Sequence, residues 1–140
     1  MSKLIKEIKN KRDKLRKKMV ELRKESRVAF SECVKGLFEE NPNLVSFSWT
    51  QYTPYFNDGD ECVFQASSGY PEYTYIDSEG KETSYDENYG EGGEPNRNLS
   101  KSITEVSSLF EDDELKEFFG DHCRVVVTKT GIETEAYDHD

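Results

Sequence analysis

The chain has 140 residues and a formal net charge of −10, which predicts a single acidic domain. Only 34% of its residues are hydrophobic, but eight Tyr, eight Phe and one Trp supply enough aromatic area for a core, which argues against disorder of the whole chain. No apolar run approaches the about 20 residues of a membrane-spanning helix, and the lysine-rich start lacks the apolar stretch of a signal peptide.

The three cysteines are Cys33, Cys62 and Cys123, an odd number at irregular spacing. With no recognisable leader sequence, this pattern predicts a cytosolic protein with reduced, mostly buried thiols. We therefore expect no association with a membrane.

Charge divides the chain into two regions. Residues 1–24 contain eleven Lys or Arg and three acidic residues, a net charge of +8, so residues 25–140 carry −18. Such a division concerns partners and solubility rather than chemistry. We expect a basic helical arm for oligomerisation, residues 1–27, followed by an acidic α+β body, residues 28–140.

Residues 2 to about 40 predict one long helix, because they contain no Pro and only one Gly and are rich in Lys, Leu, Glu and Arg. Asn41-Pro42 ends it. At 1.5 Å per residue the helix is roughly 57 Å long, so we expect its distal half to project or to form a coiled coil. The apolar residues between Val28 and Phe38 predict a core-facing surface.

The first half of this helix carries only a thin apolar stripe with heptad spacing. Its members are Ile5, Ile8, Leu15, Met19 and Leu22. The flanking heptad positions are basic, which disfavours two parallel copies. The stripe would then pack against the acidic body of a second subunit or against an antiparallel copy of the helix. The remaining interpretation is that the helix is charged, solvated and has no partner. We predict a homo-oligomer.

The body begins with a half-buried strand, residues 44–52, in which apolar and polar residues alternate. A turn at 53–60 leads to a return strand at 61–66. A second hairpin is predicted around residues 77–80, and residues 84–98 predict a mobile acidic loop.

A second helical segment starts near Leu99 or at a capping box, Ser102 to Glu105, and ends at Gly120. The acidic run 111–114 divides it into two pieces. The end of the chain, residues 123–137, predicts a hairpin. This order predicts an α+β fold with a mainly antiparallel sheet and helices on one face.

Rigid aromatic side chains and paired carboxylates are concentrated in and after the first strand, a composition typical of recognition surfaces. The candidate ligand- or partner-binding residues are Trp49, Gln51, Tyr52, Tyr55, Phe56, Asn57, Asp58 and Asp60. A ligand base could stack on Tyr52 or Tyr55. The same composition also fits an ordinary hairpin turn whose aromatic residues cap the core.

Metal and catalytic signals are weak. Residues 57–61 suggest calcium faintly, but the EF-hand spacing is absent. His122, Cys123, Cys62 and the terminal residues 138–140 could form a zinc set, yet no C-x-x-C or H-x-x-x-H pair exists. There is no Walker loop, no Gly-rich fingerprint after a strand and no G-x-S-x-G. We expect no catalytic residue, no metal and no cofactor.

Direct binding of nucleic acid is disfavoured. The basic arm has no interleaved aromatic residues, and the −18 region would be repelled by phosphates. An acidic body can instead imitate a nucleic-acid surface and occupy the basic groove of an enzyme. Solubility is the simpler explanation of the acidity.

The run Trp-Thr-Gln-Tyr-Thr-Pro-Tyr-Phe-Asn-Asp-Gly-Asp at residues 49–60, together with the ending from Gly131 to Asp140, resembles a family of small uncharacterised proteins encoded by tailed phages and large DNA viruses. The basic N-terminus is similar as well. The resemblance supplies no catalytic or ligand residue. It implies a viral origin and action in the cytoplasm of the infected host cell, where small phage proteins often block a host enzyme, sequester a defence signal or act as scaffolds.

The sequence thus favours a non-enzymatic phage accessory protein that works as an oligomeric binding module. Its partner would be a host protein or a small, nucleotide-like ligand, as in counter-defence sequestration. An acidic nucleic-acid mimic that blocks a host DNA-handling enzyme is one alternative. A metal-dependent enzyme using His122, His139 and Asp residues is the other.

Overall fold

The computed structural model describes residues 2–55 and 62–138. The chain divides into two compact units, Met1–Glu32 and Cys33–Asp140. The first helix, α1, is Ser2–Glu40, as the sequence predicts. It ends where both the amide and the side-chain nitrogen of Asn41 donate to the Leu37 carbonyl, at 3.1 and 2.9 Å, immediately before Pro42. The functional division into an arm, residues 1–27, and a body stays a prediction.

In the first unit, the apolar stripe of α1 lies on exposed positions. Its members are 50 to 62% exposed: Ile5, Ile8, Leu15, Met19 and Leu22. Lysine and arginine surround the stripe on the same helix, so the stripe presents apolar carbon at the centre of a basic surface.

The second unit is built on one antiparallel sheet with two further helices. Its strands are β1 Leu44–Tyr52, β2 Gln65–Ala66, β3 Glu72–Ile76, β4 Glu82–Asp86, β5 Glu91–Gly92, β6 Cys123–Thr128 and β7 Gly131–Ala136. The strand order is β5-β4-β3-β1-β6-β7, and β2 pairs with β1. The helices are α2 Arg97–Ser107 and α3 Asp112–Phe119. This architecture confirms the predicted α+β fold.

One face of the sheet forms the core with the helices. Along β1, Phe47 and Trp49 are buried on this face, and Trp49 contacts Phe119 of α3 edge-on at 5.9 Å between ring centroids. The hydroxyl of Tyr73 on β3 lies 2.7 Å from that of Ser100 on α2. Val125 and Val127 of β6, both fully buried, complete the layer.

The opposite face is polar. Residues that pair directly across an antiparallel sheet share a face, so the register places Thr50 beside Arg124 and Ser48 beside Glu72. Further out, Asp86 pairs with Glu72 on the same face. This open face is the surface on which the candidate site is built.

One local expectation needs correction, and one pair of alternatives is decided. Residues 84–98 were expected to be a loop, but the segment contains the end of β4 and all of β5. Gly92 makes this pairing possible: its φ is 118°, and a Cβ there would lie 2.6 Å from the Ser84 carbonyl oxygen. Of the two expected starts of α2, the one near Leu99 agrees with the structure and the Ser102 box does not: the helix begins at Arg97, and the side-chain oxygen of the capping residue Asn96 accepts from the Leu99 amide at 3.2 Å.

The expected break in the second helical segment is confirmed. The Glu111 amide donates to the Glu114 carboxylate at 3.3 Å at the start of α3, and Gly120 follows the end of that helix with a φ of 96°. Among the residues that the structure describes, no helix is both long and apolar enough to cross a membrane.

Candidate functional site

The structure distributes the predicted binding residues between the two faces of the sheet. Trp49 and Gln51 are 3% and 0% exposed and lie on the helix-covered face. Tyr52 is half-buried on the open face, and Tyr55 beyond it is 64% exposed. The remaining four, Phe56, Asn57, Asp58 and Asp60, lie outside the described residues.

Gln51 joins β1 to α3 through its side chain. The amide nitrogen donates to the Leu115 carbonyl at 3.0 Å and to the Gly120 carbonyl at 2.7 Å. The amide oxygen accepts from the Trp49 indole at 2.9 Å. These bonds connect the buried indole to a carbonyl within α3 and to the carbonyl of Gly120 just after it, so in this structure the side chains of Gln51 and Trp49 serve packing rather than the surface.

The chain after β1 is held by Asp121. One carboxylate oxygen accepts from the Thr53 amide at 2.8 Å, and the other accepts from the Thr53 hydroxyl at 2.6 Å. The His122 amide also donates to Asp121, at 2.8 Å. Burial alone would raise the pKa of Asp121, but these hydrogen bonds stabilise the charged form and hold the pKa below its ordinary value.

His122 forms a strained corner beside Tyr55. Its φ is 49°, the one positive value of a non-glycine residue in the described chain, and its ring stacks on Tyr55 at 4.6 Å with an interplanar angle of 8°. Within the described ranges, Nδ1 of His122 is the one buried side-chain polar atom with no hydrogen-bond partner. This stacking contact fixes the position of Tyr55, the residue immediately before 56–61, which are not described.

The residues considered for zinc do not converge where the chain is described. Cys123 is buried, with Sγ 3.5 Å from the carbonyl oxygens of Phe119 and Gly120. Burial, reinforced by the charge of Asp121, raises the pKa of its thiol, which opposes a thiolate. No group of three or more His, Cys, Asp or Glu residues that could hold a metal occurs between residues 2 and 55 or 62 and 138. His139 lies outside these ranges.

A shallow cleft opens on the polar face of the sheet; it encloses about 40 Å³ and is otherwise open to solvent. Its floor is formed by Ser48, Trp49 and Thr50 of β1, Glu72 of β3 and Arg124 of β6. Its walls come from three connecting segments and contain Ser67, Tyr70, Asp86, Asn88, Tyr89 and Tyr137. We call this site the open-face cleft.

The walls are anchored to the sheet and to α2. The Ser67 amide donates to the Thr50 carbonyl at 2.9 Å, and the buried Ser107 hydroxyl of α2 donates to the Ser68 carbonyl at 2.8 Å. On the other side, Asp86 accepts from the Asn88 amide at 2.9 Å, which shapes the turn that carries Tyr89. The open-face cleft is therefore defined by the fold and needs no ligand to shape it.

Arg124 lies on the cleft floor with acceptors on both sides. Its Nη1 is 3.2 Å from the Ser48 hydroxyl and 3.1 Å from the Glu72 carboxylate. Its Nε is 3.7 Å from the Glu135 carboxylate on β7. The guanidinium is thus already balanced by two carboxylates, and it orders the floor across three neighbouring strands.

Tyrosines form the walls. Tyr70 and Tyr89 are each 64% exposed. Burial raises the pKa of the Tyr137 hydroxyl, and the nearby hydroxyls of Tyr89 and Tyr52 raise it further, against smaller opposing effects of Arg124 and of a hydrogen bond with Thr50. Tyr52 contacts Tyr137 at 5.9 Å between ring centroids, so one predicted binding residue adjoins the cleft.

Sequence reasoning did not single out Arg124, Glu72, Tyr70, Asp86 or Tyr89. Alternation along β3 and β6 identifies which residues share a face with Ser48 and Thr50, but not that these strands flank β1 on opposite sides. The contact of Arg124 with Glu72 joins residues that are 52 positions apart in the sequence. Single-sequence patterns carry no signal for such a pairing.

No protein-family model, no curated protein and no solved structure matches the chain. The chemistry of the site therefore has to be argued from the open-face cleft itself. The cleft lining offers hydroxyls, an amide, carboxylates and aromatic rings, and one guanidinium that is already paired. Such a set recognises a ligand through stacking and hydrogen bonds.

Proposed function

We propose that the protein is a non-enzymatic binding module whose ligand or partner occupies the open-face cleft. The cleft is the observation that carries the proposal, because it combines a preformed concave shape with convergent polar groups and exposed aromatic rings. Tyr70 and Tyr89 supply contact area with few rotatable bonds, a property of residues that dominate binding energies.

Assembly is the second part of the proposal. The apolar stripe of α1 is exposed over a long segment: its members are Ile5, Ile8, Leu15, Met19 and Leu22. We propose a second copy of the chain as its occupant. The basic flanks of the stripe oppose a parallel pair of arms, whereas acidic residues of the second copy, whose residues 25–140 carry −18, would complement them.

Sedimentation velocity tests the assembly. Replacing Leu15 and Leu22 with Gln should shift the protein to monomer, because the change removes apolar area at the centre of the stripe. The matched control replaces Lys14 and Lys17 with Gln on the same helix and should keep the oligomer. A wild-type protein that sediments as a 16.2 kDa monomer at all concentrations would refute the assembly proposal.

The resemblance to phage and large-DNA-virus proteins supports a biological setting. In that setting the module acts in the cytoplasm of an infected host cell, where it captures a host factor or a small ligand and so counters a defence. An intact nucleotide fits the cleft less well than a base or an amine would, because Glu72 and Asp86 repel phosphate.

Native mass spectrometry of untagged protein, purified gently from infected or expressing cells, tests the binding proposal. We expect retained mass above an integer multiple of 16.2 kDa, and loss of that mass in a protein carrying both Tyr70→Ala and Tyr89→Ala. Glu133→Gln, on the same sheet face but outside the cleft, is the control. Retained mass that survives the double substitution would place the ligand elsewhere.

A further inference from the structure

We infer that the open-face cleft binds an organic cation, an alkylammonium or guanidinium group of about side-chain size. The inference rests on the proposed function, since it names the ligand chemistry of the same cleft. Three features carry it: an excess of carboxylates, a wall of tyrosine rings and a floor of hydrogen-bond acceptors. None of the three alone defines a site, and the cleft brings them together.

The charge balance of the cleft favours a positive ligand. Glu72 and Glu135 flank the guanidinium of Arg124 on its two sides, at 3.1 and 3.7 Å. Asp86 adds a third carboxylate next to Glu72, because the two residues face each other across β3 and β4. Within the lining, Glu72, Asp86 and Arg124 sum to a formal charge of −1, and Glu135 beside Arg124 adds a further negative charge outside the lining, so a cation gains and an anion loses Coulomb energy on entry.

Aromatic walls strengthen the preference for a cation. The face of a phenol ring carries negative charge density, and a cation within about 6 Å of the ring centre is attracted to it. Tyr70 and Tyr89 are exposed, and Tyr137 lies close enough to Tyr89 for their hydroxyls to influence each other. Rings on several walls of one cleft suit a group that has no preferred direction of approach, such as a methylated ammonium.

The floor and the volume set the size of the group. The Asn88 amide oxygen can accept a hydrogen bond from an N–H donor, and the Ser48 and Thr50 hydroxyls, which already bond Arg124 and Tyr137, each have a second acceptor lone pair. The cleft encloses only about 40 Å³ and is otherwise open to solvent, so it suits the charged head group of an amine or guanidine whose remaining atoms stay in solvent.

Chemical-shift titration of ¹⁵N-labelled full-length protein tests the inference. The probes are choline, its neutral carbon isostere 3,3-dimethylbutanol, agmatine and AMP. We expect choline and agmatine to shift the amides of Ser48, Glu72 and Arg124, and to bind at least about tenfold more tightly than the isostere and AMP. Equal affinity for choline and its isostere, or tighter binding of AMP, would overturn the inference.

Single substitutions test whether the cation binds in the open-face cleft. Tyr89→Ala should weaken choline binding about fivefold while Tyr89→Phe keeps it, because the ring and not the hydroxyl attracts the cation.

Asp86→Asn keeps the acceptor for the Asn88 amide and removes one charge, and it should weaken binding about threefold. Glu133→Gln makes the same charge change outside the cleft and should leave the affinity unchanged. An effect of Glu133→Gln equal to that of Asp86→Asn would reduce the inference to a general attraction of cations to an acidic body.

Two further probes distinguish the sources of the cation. Pentapeptides with a central Arg or trimethyllysine between glycines represent a protein partner, and choline and agmatine represent free metabolites. Tighter binding of the peptides indicates a basic protein segment, and tighter binding of the free amines indicates a small molecule; both results support a cation. If no cation shifts the cleft while a ligand retained from cells does, the cation inference falls and the proposed function stands.

Discussion

The two faces of the sheet use similar residue types for opposite purposes. On the helix-covered face, Trp49 and Gln51 combine an aromatic ring with a polar amide, and both are buried with their hydrogen bonds made to each other and to α3. On the open face, Tyr70 and Tyr89 stand exposed beside Arg124, whose partners leave it in contact with solvent. The contrast teaches that an aromatic and polar composition does not by itself indicate binding. Whether such residues are buried or exposed depends on which face of the sheet they occupy.

The central claim is therefore a division of labour: the helix-covered face holds the fold, and the open face binds. Substitutions on the first face should change stability, and substitutions in the open-face cleft should change affinity.

The largest effect is expected for Gln51→Met. The substitution keeps the approximate volume but removes one hydrogen-bond partner from each of the Trp49 indole, the Leu115 carbonyl and the Gly120 carbonyl. Leaving such buried groups unsatisfied costs about 1–3 kcal/mol each, and with relaxation we expect a total loss of about 3 kcal/mol. Urea denaturation measures it. The control, Ser46→Ala on the open face of the same strand, should stay within about 0.5 kcal/mol of wild type.

Asp121→Asn should have a smaller effect that depends on pH. Hydrogen bonds from Thr53 and the His122 amide lower the folded-state pKa of Asp121 despite its burial. The carboxylate therefore stabilises the protein above its unfolded-state pKa of about 3.9, and the stabilisation is lost as the pH falls through the lower folded-state pKa. We expect a difference from wild type of about 1.5 kcal/mol at pH 7.

Urea denaturation of both proteins from pH 7 to pH 2.5 checks this dependence. The difference between wild type and Asp121→Asn should stay constant down to about pH 5 and shrink below about pH 4. A difference that grows as the pH falls would show that the sign of the pKa shift is wrong.

Arg124→Gln tests how much an open-face residue contributes to stability, in comparison with Gln51 on the helix-covered face. Its ion pairs with Glu72 and Glu135 are partly exposed, and such pairs contribute about 0–1 kcal/mol. We expect a loss of less than about 1 kcal/mol by thermal denaturation, because glutamine can still donate to Ser48. A loss as large as that of Gln51→Met would mean that the open face is part of the core.

The smallest stability effect is expected for the cleft tyrosines. Tyr70→Ala and Tyr89→Ala remove rings that are 64% exposed, so each should change the free energy of unfolding by less than about 0.5 kcal/mol. Differential scanning fluorimetry measures the corresponding small shift. A marked loss of stability would assign these rings to packing and weaken the case for a binding site.

Local sequence patterns predicted most of the fold. The absence of Pro from residues 2–40, the alternation in residues 44–52 and the position of Gly120 predicted α1, β1 and the end of α3. The segment 84–98 was misjudged, because its Gly and acidic residues outweighed the short pairing of β5, which depends on the contact of Gly92 with Ser84.

The residues of the candidate site were much harder to predict from the sequence. The alternation of β1 already places Gln51 on the same face as Phe47 and Trp49, so its burial could have been deduced from spacing alone. The open-face cleft could not, because Arg124 reaches Glu72 only through the pairing of β1 with both β3 and β6. The described part of the predicted binding segment meets the cleft at Trp49, which is one of the lining residues although its ring is buried, and adjoins it at Tyr52, through the contact of Tyr52 with Tyr137.

One pair of measurements on one variant tests the division of labour most directly: the dissociation constant for choline and the melting temperature of Tyr89→Ala, each compared with wild type. The account predicts affinity weakened about fivefold at an unchanged melting temperature. Unchanged affinity, or a melting temperature that falls as far as that of Gln51→Met, would contradict it.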